Sequence, residues 1–441
     1  MGFKILAINP GSTSTKVALY DEERPSLDLT LRHTAEQIAR YTNIIDQLGW
    51  RREMILTALS EHGFDIMQLS AVIGRGGLVR PIPAGVYEVN EAMRRDLTNA
   101  TMEHASNLGG LLAAEIAAMA GVKAYIADPV VVDEMEDVAR LSGHPDCPRK
   151  SIFHALNQKA TARLHCDRIG IVYEKANLVV AHLGGGISVA AHKQGRVVDV
   201  NNALDGDGPF APERAGSLPA GEFADLCFSG RYTRREVQKM LAGQGGLVAH
   251  LGTNSMMQVS ERIAQGDEKA RLVAEAMCYG ISKQIGAMAA AMCGRVDAVI
   301  LTGGIAHNEF VVRYIEQHCS FIAPVSVYPG ENELESLVAN ALVVLRGTIV
   351  PKVYAGRAKE LRTRGSRPCG SNRQGSNSRT PHTPCKTANR ASNSNRAAKH
   401  NRAPKNLTGK QETHRQTGTA PQQKRPPDQY PADVFPVYIR Q

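Results

Sequence analysis

The sequence predicts an α/β protein that contains two copies of one folding unit, each a mixed five-stranded sheet with helices, facing each other across a cleft. Two matching segments carry this prediction: FKILAINPGSTSTKVALY at Phe3–Tyr20 and NLVVAHLGGGISVAA at Asn177–Ala191. In each, an apolar run with strand character leads into a tight turn of Gly and small polar residues, and then into a second apolar run. Helical and strand patterns alternate after each segment, which is typical of α/β proteins.

The first copy begins with a meander of three strands, because its apolar residues alternate with the period of two that strands show. Stretches with helical spacing follow, separated by short apolar runs that indicate buried strands. The predicted strands are Phe3–Asn9, Lys16–Asp21, Leu27–His33, Ala71–Gly74 and Lys123–Ala127, and the predicted helices are Glu36–Leu48, Glu53–His62 and Leu108–Ala120.

The second copy repeats the meander and then alternates helices with strands. Its predicted strands are Asn177–His182, Ser188–Lys193, Arg196–Asn201, Ala298–Thr302 and Val325–Tyr328, and its predicted helices are Ala220–Cys227, Thr233–Leu241, Ala270–Met292, Asn308–Gln317 and Glu333–Arg346. We expect the last helix to return to the first copy. The predicted domains are therefore 1–135, completed by helix 334–350, and 136–333.

The C-terminal segment 357–441 differs from the rest of the chain in composition. It carries 18 Lys and Arg against 4 Asp and Glu, whereas the whole chain has a net charge of +9, so residues 1–356 are net negative. Its central part holds almost no large apolar residue, which predicts disorder because little apolar area is available for burial. An inert extension is the favoured interpretation, and a nucleic-acid-binding arm is the alternative.

The remaining composition predicts a cytoplasmic protein without a membrane partner. The eight cysteines show no C-x-x-C pairing, which indicates reduced thiols and neither a disulfide framework nor a zinc site. The N-terminus MGFKILAIN lacks the features of a signal peptide. No segment approaches the roughly 20 apolar residues of a membrane span.

Three glycine-containing turns are candidates for binding an anion, because backbone N–H groups and hydroxyls converge in such turns. The first turn could also be an ordinary Ser/Thr-rich hairpin, and the histidine of the second could be structural. The candidate residues are Asn9, Ser12, Ser14 and Lys16 in the first turn, His182, Gly184, Gly185 and Gly186 in the second, and Gly303, Gly304 and Asn308 in the third. Two hairpin turns that face each other would hold a polyphosphate, which favours phosphoryl transfer.

In these segments the chain resembles the acetokinase family, part of the acetate and sugar kinase, Hsp70 and actin superfamily, and most closely the branch that acts on butyrate. The matching stretches are INPGSTSTKVALYD (Ile8–Asp21), GRGGL (Gly74–Leu78), HASNLGG (His104–Gly110), HLGGGIS (His182–Ser188), NNALDGDGPFAPERAG (Asn201–Gly216), LTGGIAHN (Leu301–Asn308) and PGENE (Pro329–Glu333). The resemblance implies two RNase H-like domains around an ATP cleft, and reversible transfer of the γ-phosphoryl group from ATP to a short carboxylate. It also implies a homodimer or larger homo-oligomer.

The resemblance also assigns catalytic residues. Arg75 and Arg214 match the arginines that hold the carboxylate and the transferring phosphoryl group, a task that suits the planar guanidinium. His182 matches the histidine that stabilises the transition state, and His154 matches a second, less critical histidine. His104 and Asn107 match further polar residues of the family's active site.

The resemblance places Mg²⁺ in the site, with ATP and ADP as the nucleotides. Asp128 would organise the metal together with an acidic residue of the PGENE stretch, and the choice between Glu331 and Glu333 stays open. Because Asp128 precedes Pro129, an ordinary Asx-Pro turn is the alternative for it. Gly303, Gly304 and Asn308 would contact the adenosine part of the nucleotide.

Gly76 and Gly77 depart from the acetate kinases, which carry bulky β-branched residues after the first arginine. If these glycines line the acyl pocket, the pocket is widened, which predicts butyrate or a branched acid as the substrate instead of acetate. The sequence leaves two alternative functions: a superfamily kinase that acts on a hydroxyl group, and a nucleotide- or RNA-binding protein that uses the basic tail. A hydroxyl kinase would be expected to supply a carboxylate base, whereas two arginines suit an anionic acceptor.

Overall fold

The computed structural model describes residues 2–100 and 103–356. Its first sheet contains the strands β1 (Lys4–Pro10), β2 (Ser14–Asp21), β3 (Arg24–Arg32), β4 (Ala71–Arg75), β5 (Val86–Glu88) and β6 (Lys123–Ala127). The predicted tail 357–441 lies outside the described residues, and so do the predictions of its disorder and of nucleic-acid binding by it. The predicted domain boundaries stay predictions.

The first sheet has the strand order β3-β2-β1-β4-β6-β5. Strands β1, β2 and β3 form an antiparallel meander, and β4 and β6 continue the sheet parallel to β1. The prediction of five strands was wrong for this copy, because β5 adds a sixth strand antiparallel to β6. A three-residue strand is too short to produce a readable alternation of apolar residues.

The second sheet repeats the arrangement of β1 to β4 and β6 in the first sheet. Its strands are β7 (Asn177–Leu183), β8 (Ile187–Lys193), β9 (Arg196–Val200), β10 (Ala298–Gly303) and β11 (Val325–Pro329), in the order β11-β10-β7-β8-β9. Strands β7 to β9 form the antiparallel meander, and β10 and β11 run parallel to β7. The predicted duplication of the α/β unit is therefore confirmed.

Helices flank both sheets. They are α1 (Ala35–Ile38), α2 (Leu48–Glu61), α3 (Glu91–Thr98), α4 (Asn107–Ala120), α5 (Asp137–Arg140), α6 (Ala155–Ile169), α7 (Ala220–Phe228), α8 (Arg234–Leu241), α9 (Leu247–Leu251), α10 (Met256–Ala264), α11 (Glu268–Ala291), α12 (Glu309–Cys319) and α13 (Glu333–Leu345), with 3₁₀ turns at Ile44–Gln47, Ile66–Gln68, Tyr173–Lys175 and Gly304–His307. In none of the described ranges does a helix combine the length and the apolar character of a membrane span.

The predicted helix Glu36–Leu48 is divided in the structure. Helix α1 ends at Ile38, and a 3₁₀ turn separates it from α2. Asn43 starts that turn by donating its backbone N–H to Asp46 Oδ2, 3.0 Å away. Asn favours such local caps over the helix interior, so this stretch is less regular than its apolar spacing indicates.

Helix α13 returns from the second sheet to cover the first. Its residues Leu337 and Ala341 are fully buried in one apolar cluster with Ile5 and Ala7 of β1. The first residue of the helix, Glu333, lies at its N-terminus, where the chain leaves β11. The packing of α13 therefore carries this carboxylate from one half of the molecule to the other, next to the end of β1.

Candidate active site

The first predicted anion turn is a tight hairpin between β1 and β2. Asn9 lies opposite Lys16 in the strand register, and Gly11 N donates to Ser14 O over 2.7 Å to close the turn. Ser12 and Lys16 are exposed to solvent, whereas Asn9 is buried. The hairpin therefore presents a polar edge to the cleft while its strands stay in the core.

A buried arginine supports this hairpin from behind. Arg51 in α2 is 1% exposed, and its guanidinium donates to Gly11 O over 2.8 Å and to Thr15 Oγ1 over 3.1 Å. It also donates to Gln47 Oε1 over 2.7 Å. Burial lowers the pKa of Arg51 to about 10, and no acidic side chain of the described residues forms an ion pair with it. Carbonyl oxygens of the turn thus receive the bonds that a carboxylate normally would.

Residues from three distant segments meet at the end of β1. Arg75, the last residue of β4, lies 3.2 Å from Glu333 through Nη1, and Asn9 Nδ2 also donates to Glu333 Oε2. Arg75 Nη1 donates to Asn9 Oδ1 over 3.4 Å. Three predicted site residues are therefore brought into direct contact, although they lie far apart in sequence.

His182 is the last residue but one of β7, and both nitrogens of its ring lie near polar side chains. Its Nδ1–H donates to Asn157 Oδ1 over 2.7 Å, and its Nε2 lies 3.0 Å from Glu331 Oε1. The contact with His182 lowers the pKa of the Glu331 carboxyl, and the charges of Arg75 and Lys16 lower it further. Glu331 is accordingly ionised at neutral pH and faces the same space as the two cationic side chains.

The two predicted histidines form a stack. The rings of His154 and His182 lie 3.7 Å apart between centroids, at an interplanar angle of 12°. Burial lowers the pKa of His154 well below its ordinary value, and the neighbouring His182, Arg75 and Arg214 act in the same direction. At neutral pH His154 is therefore an uncharged imidazole.

A cavity of about 90 Å³ opens beside these residues. Its polar lining includes Arg75, Arg214, His104 and His154, and its apolar lining includes Leu78, Val130, Ile152, Phe153, Ala203 and Leu204. Arg214 Nε is buried and makes no hydrogen bond to any described residue. Burial lowers the pKa of His104 to about 4, with Arg75 and Arg214 contributing, so its ring is also neutral. The cavity is thus lined by both cationic and apolar side chains.

Gly76 and Gly77 do not have the role that the sequence suggested, because they are not among the residues that line this cavity. A Cβ atom on Gly77 would lie 2.6 Å from Asn107 Cα, and one on Gly76 would lie 2.5 Å from Pro129 Cβ. Both glycines are needed for close packing against neighbouring segments. The prediction that they open the acyl pocket was wrong, and a Gly77→Val variant would disturb this packing instead of shortening the pocket.

The other predicted glycine turns lie next to the histidines. Gly184 faces His182 Nε2 and Glu331, and Gly186 lies against His154 and Arg214. Gly303 has a φ of +91°, and a Cβ on it would meet Leu183 O at 2.5 Å, so only glycine fits there. The Cα of Gly304 faces open space.

Asn308 caps a helix. Its side chain accepts from Val311 N over 3.2 Å and donates to Ser260 Oγ over 2.8 Å. Both ends of the amide are therefore engaged within the protein, and its predicted contact with a nucleotide stays a prediction.

Asp128 follows β6 and has an unusual position for a candidate metal residue. Its side chain is fully buried, Oδ1 accepts from Gly85 N over 2.7 Å, and its φ is +38°. Oδ2 makes no hydrogen bond to a described residue and lies 3.6 Å from Arg163. No cluster of three or more His, Cys, Asp or Glu side chains suited to a metal occurs within 2–100 and 103–356.

The sequence did not reveal the residues that hold the histidines in place. Asn157, Gln158 and Ser188 are all buried, and the first of them bonds directly to His182. Asn157 and Gln158 follow His154 by one turn of α6. Polar residues that follow a candidate histidine by three and four positions on a helix are the signal that could have indicated them.

Comparison with known proteins shows the family and the fold of the chain. The Acetokinase family matches residues 148–345 of the chain. A probable butyrate kinase of Bacteroides thetaiotaomicron is 52% identical over 352 residues, which cover 80% of this chain and 99% of that protein. Crystal structures of a Porphyromonas gingivalis acetate kinase (TM-score 0.64, 20% identity, 78% of this chain and 100% of that one) and a Francisella tularensis propionate kinase (TM-score 0.61, 18% identity, 77% and 98%) share its fold.

The family match and the 52% identical relative show a phosphotransferase whose acceptor is a carboxyl group. The chain belongs to the acetokinase family.

Proposed function

We propose that the protein transfers the γ-phosphoryl group of ATP to butanoate and produces butanoyl phosphate and ADP in a reversible reaction. The observation that carries this proposal is the cavity beside Arg75 and Arg214, whose lining combines these cationic side chains with apolar ones. A short fatty acid has the same two parts. The identity of 52% to a probable butyrate kinase supports the same substrate.

The carboxylate would lie at the arginine side of the cavity. Arg75 and Arg214 are each about a quarter exposed, so they are accessible to a ligand yet partly shielded from water. A guanidinium binds a carboxylate or a phosphoryl group through parallel hydrogen bonds. The unbonded, buried Arg214 Nε is a donor that an anionic ligand would satisfy.

The two hairpins would hold the ATP polyphosphate from opposite sides. The Asn9–Lys16 hairpin contributes a cation at Lys16 and the hydroxyl groups of its turn. Gly185 and Gly186 would contribute backbone N–H groups, whereas the N–H of Gly184 already donates to Gly186 O over 3.2 Å. Gly303 and Gly304 lie beside the second hairpin, where the open space at Gly304 suits the nucleoside.

A magnesium ion fits the oxygen donors at this point of the cleft. Glu331 is 41% exposed and ionised, whereas Glu333 is already bonded to Asn9 and Arg75. We therefore assign the metal to Glu331, with Glu333 orienting Arg75, and the metal role of Asp128 stays a prediction. Mg²⁺ binds few protein carboxylates and completes its shell with phosphates and water. When bound, it would neutralise charge on the β- and γ-phosphates.

The residues then act by alignment and charge neutralisation. The carboxylate oxygen attacks the γ-phosphorus in line with the ADP leaving group, so the protein supplies no covalent nucleophile. Arg75, Arg214 and His182 surround the transferring group and stabilise its equatorial oxygens. Because the acceptor is already an anion, no general base is needed. A homodimer or larger homo-oligomer is part of the proposal through the family resemblance.

The apolar wall of the cavity should determine the preferred chain length. Each buried methylene contributes about 0.8 kcal/mol, or about fourfold in kcat/KM. Val130→Leu should lower the ratio of kcat/KM for butanoate over acetate by about fourfold, because it fills space that the acyl chain occupies. Val130→Ala should raise activity toward the five-carbon acid. An unchanged profile in both variants would count against this wall as the acyl site.

A branched acid such as isobutyrate is the alternative substrate, because the same apolar wall could accept a branched chain. Kinetics of the unmodified protein with butanoate and isobutyrate distinguish the two. A higher kcat/KM for butanoate supports the proposal, and a higher value for isobutyrate supports the alternative. The tail-dependent nucleic-acid function would instead require salt-sensitive RNA binding that is lost on removal of 357–441.

Arg51 should affect ATP more than the acid, because it bonds the carbonyl oxygens of the first hairpin. Arg51→Met should raise KM for ATP about tenfold and leave KM for butanoate nearly unchanged, since the lost hydrogen bonds hold only the Asn9–Lys16 hairpin in place. Arg51→Lys should recover part of this loss. The neighbouring Arg52→Met removes a half-buried arginine that contacts Glu53 and Glu115, and serves as the control. A fall in melting temperature with no change in KM for ATP would refute the expectation.

A further inference from the structure

A buried network of hydrogen bonds leads from the 3₁₀ turn at Tyr173 to the histidine stack. Tyr173 Oη lies 2.8 Å from His192 Nδ1, and His192 Nε2 lies 3.0 Å from Gln158 Oε1. Gln158 Nε2 lies 2.8 Å from Ser188 Oγ, which lies 2.9 Å from His154 Nδ1. We call Tyr173, His192, Gln158 and Ser188 the Tyr173–Ser188 network. His192, Gln158 and Ser188 are fully buried.

One contact determines the direction of every bond in the network. Gln158 Nε2 also lies 3.0 Å from the backbone oxygen of Ser188, and a carbonyl oxygen can only accept. The NH₂ group of Gln158 therefore faces Ser188, and its Oε1 accepts from His192 Nε2–H. Ser188 Oγ accepts from Gln158 Nε2 and, over 3.5 Å, from the backbone N–H of His154, so both of its lone pairs are used and its own O–H donates to His154 Nδ1.

The consequence falls on His154. A neutral imidazole carries one proton, and a ring nitrogen that accepts a hydrogen bond cannot carry it. Burial, together with His182 and two arginines, lowers the pKa of His154, so the ring is neutral. His154 Nε2 makes no hydrogen bond to any described residue, and His154 lines the substrate cavity beside Arg75 and Arg214.

We propose that the Tyr173–Ser188 network fixes His154 in the tautomer with its proton on Nε2, so that this neutral ring donates a hydrogen bond to the anion bound in the cavity. Ser188 and Gln158 are positioning residues that act through His154. The part of the proposal that concerns the bound anion rests on the proposed function, whereas the tautomer itself does not. A neutral donor adds one bond to an acyl phosphate or its precursor without adding charge beside two arginines.

The test is nitrogen NMR of protein labelled with ¹⁵N-histidine, with His154 assigned from a His154→Gln sample. The unmodified protein should show a pyrrole-type Nε2 and a pyridine-type Nδ1 for His154. Ser188→Ala removes the donor to Nδ1, so the His154 signals should shift toward a mixture of tautomers. With butanoate and ATP, kcat should fall about tenfold while KM for ATP changes less than twofold.

A second variant and a control keep this test decisive. Met is similar in size to Gln, and Gln158→Met removes the hydrogen bond that orients the Ser188 hydroxyl. This variant should therefore reproduce the tautomer change if Ser188→Ala does not fold. Ser282→Ala is the control, because the buried hydroxyl of Ser282 donates to Cys278 O of its own helix, away from the histidines. A proton on Nδ1 in the unmodified protein, or an unchanged tautomer and kcat in both variants, would overturn the proposal. An Nε2–H tautomer in a protein without butanoate kinase activity would refute the proposed function and leave the network assignment standing.

Discussion

Arg75→Ala and Arg214→Ala should each lower kcat for butanoate by about 10²- to 10³-fold, because each removes a donor aimed at the charge of the transferring group. KM for butanoate should rise as well, whereas KM for ATP should change little, since the hairpins stay intact. Arg75→Lys should recover only part of the activity, because an ammonium group lacks the planar fork of the guanidinium. Steady-state kinetics with each substrate varied separately measure these changes.

The control for these variants is an arginine remote from the cavity. Arg313 is 70% exposed and pairs only with Glu309 on its own helix, so Arg313→Ala should retain full activity. Arg75→Ala also removes the ion-pair partner of Glu333, so the loss of activity in this variant includes any effect of the unpaired carboxylate. A variant at Arg75 or Arg214 that keeps more than a tenth of the kcat would show that the residue does not contact the reacting groups.

Glu134→Ala should cause the largest loss of stability of any single substitution considered, because it leaves a buried lysine unpaired. Lys159 is 1% exposed and lies 2.9 Å from Glu134 Oε2, and Glu134 also accepts from Ala84 N and Val197 N. Breaking such a pair costs about 3–5 kcal/mol. For a protein of this size the melting temperature should fall by roughly 4–7 °C, as measured by circular dichroism.

The same pair should make stability depend on pH. Burial alone would raise the pKa of Glu134, but the charge of Lys159 and the hydrogen bonds to Glu134 outweigh it, and the pKa is lowered from 4.5. The contribution of the carboxylate is therefore present above pH 4.5 and is lost as the pH falls through the lowered value. The difference in melting temperature between the unmodified protein and Glu134→Gln should shrink in that acidic range.

A double variant separates the ion pair from general damage to the core. Glu134→Gln with Lys159→Met removes both charges, and it should melt closer to the unmodified protein than Glu134→Gln alone. Glu309→Ala, which breaks an exposed ion pair, should change the melting temperature by little. Equal losses in the single and double variants would contradict the explanation through an unpaired lysine.

The sequence predicted the parts of the fold that local patterns encode. Both hairpins, the duplication and the last helix follow from alternating apolar residues, glycine turns and helical spacing, which act over a few neighbouring residues. His182 was singled out because it closes a strand before a glycine turn, whereas Arg75 and Arg214 were assigned through the resemblance to the acetokinase family. Strand β5 was missed because its three residues are too few to establish a period.

The remainder depends on contacts between distant segments, which local patterns do not encode. Gly77 was expected to face a pocket, but whether a glycine faces space or a packed neighbour depends on where α4 lies, and here Asn107 is against it. No local pattern singles out Arg51 in α2, yet its side chain is buried beneath the first hairpin. The hydrogen bonds of Ser188 and Gln158 likewise exist only once α6 packs on β8.

The most direct test of the central claim is a competition followed by ³¹P NMR. The full-length protein is given ATP, Mg²⁺ and equal amounts of acetate and butanoate, and the acyl phosphates are quantified as they form. Butanoyl phosphate should form about 15-fold faster than acetyl phosphate, as two extra buried methylenes require. Formation of acetyl phosphate at an equal or higher rate, or of neither product, would contradict the proposed function.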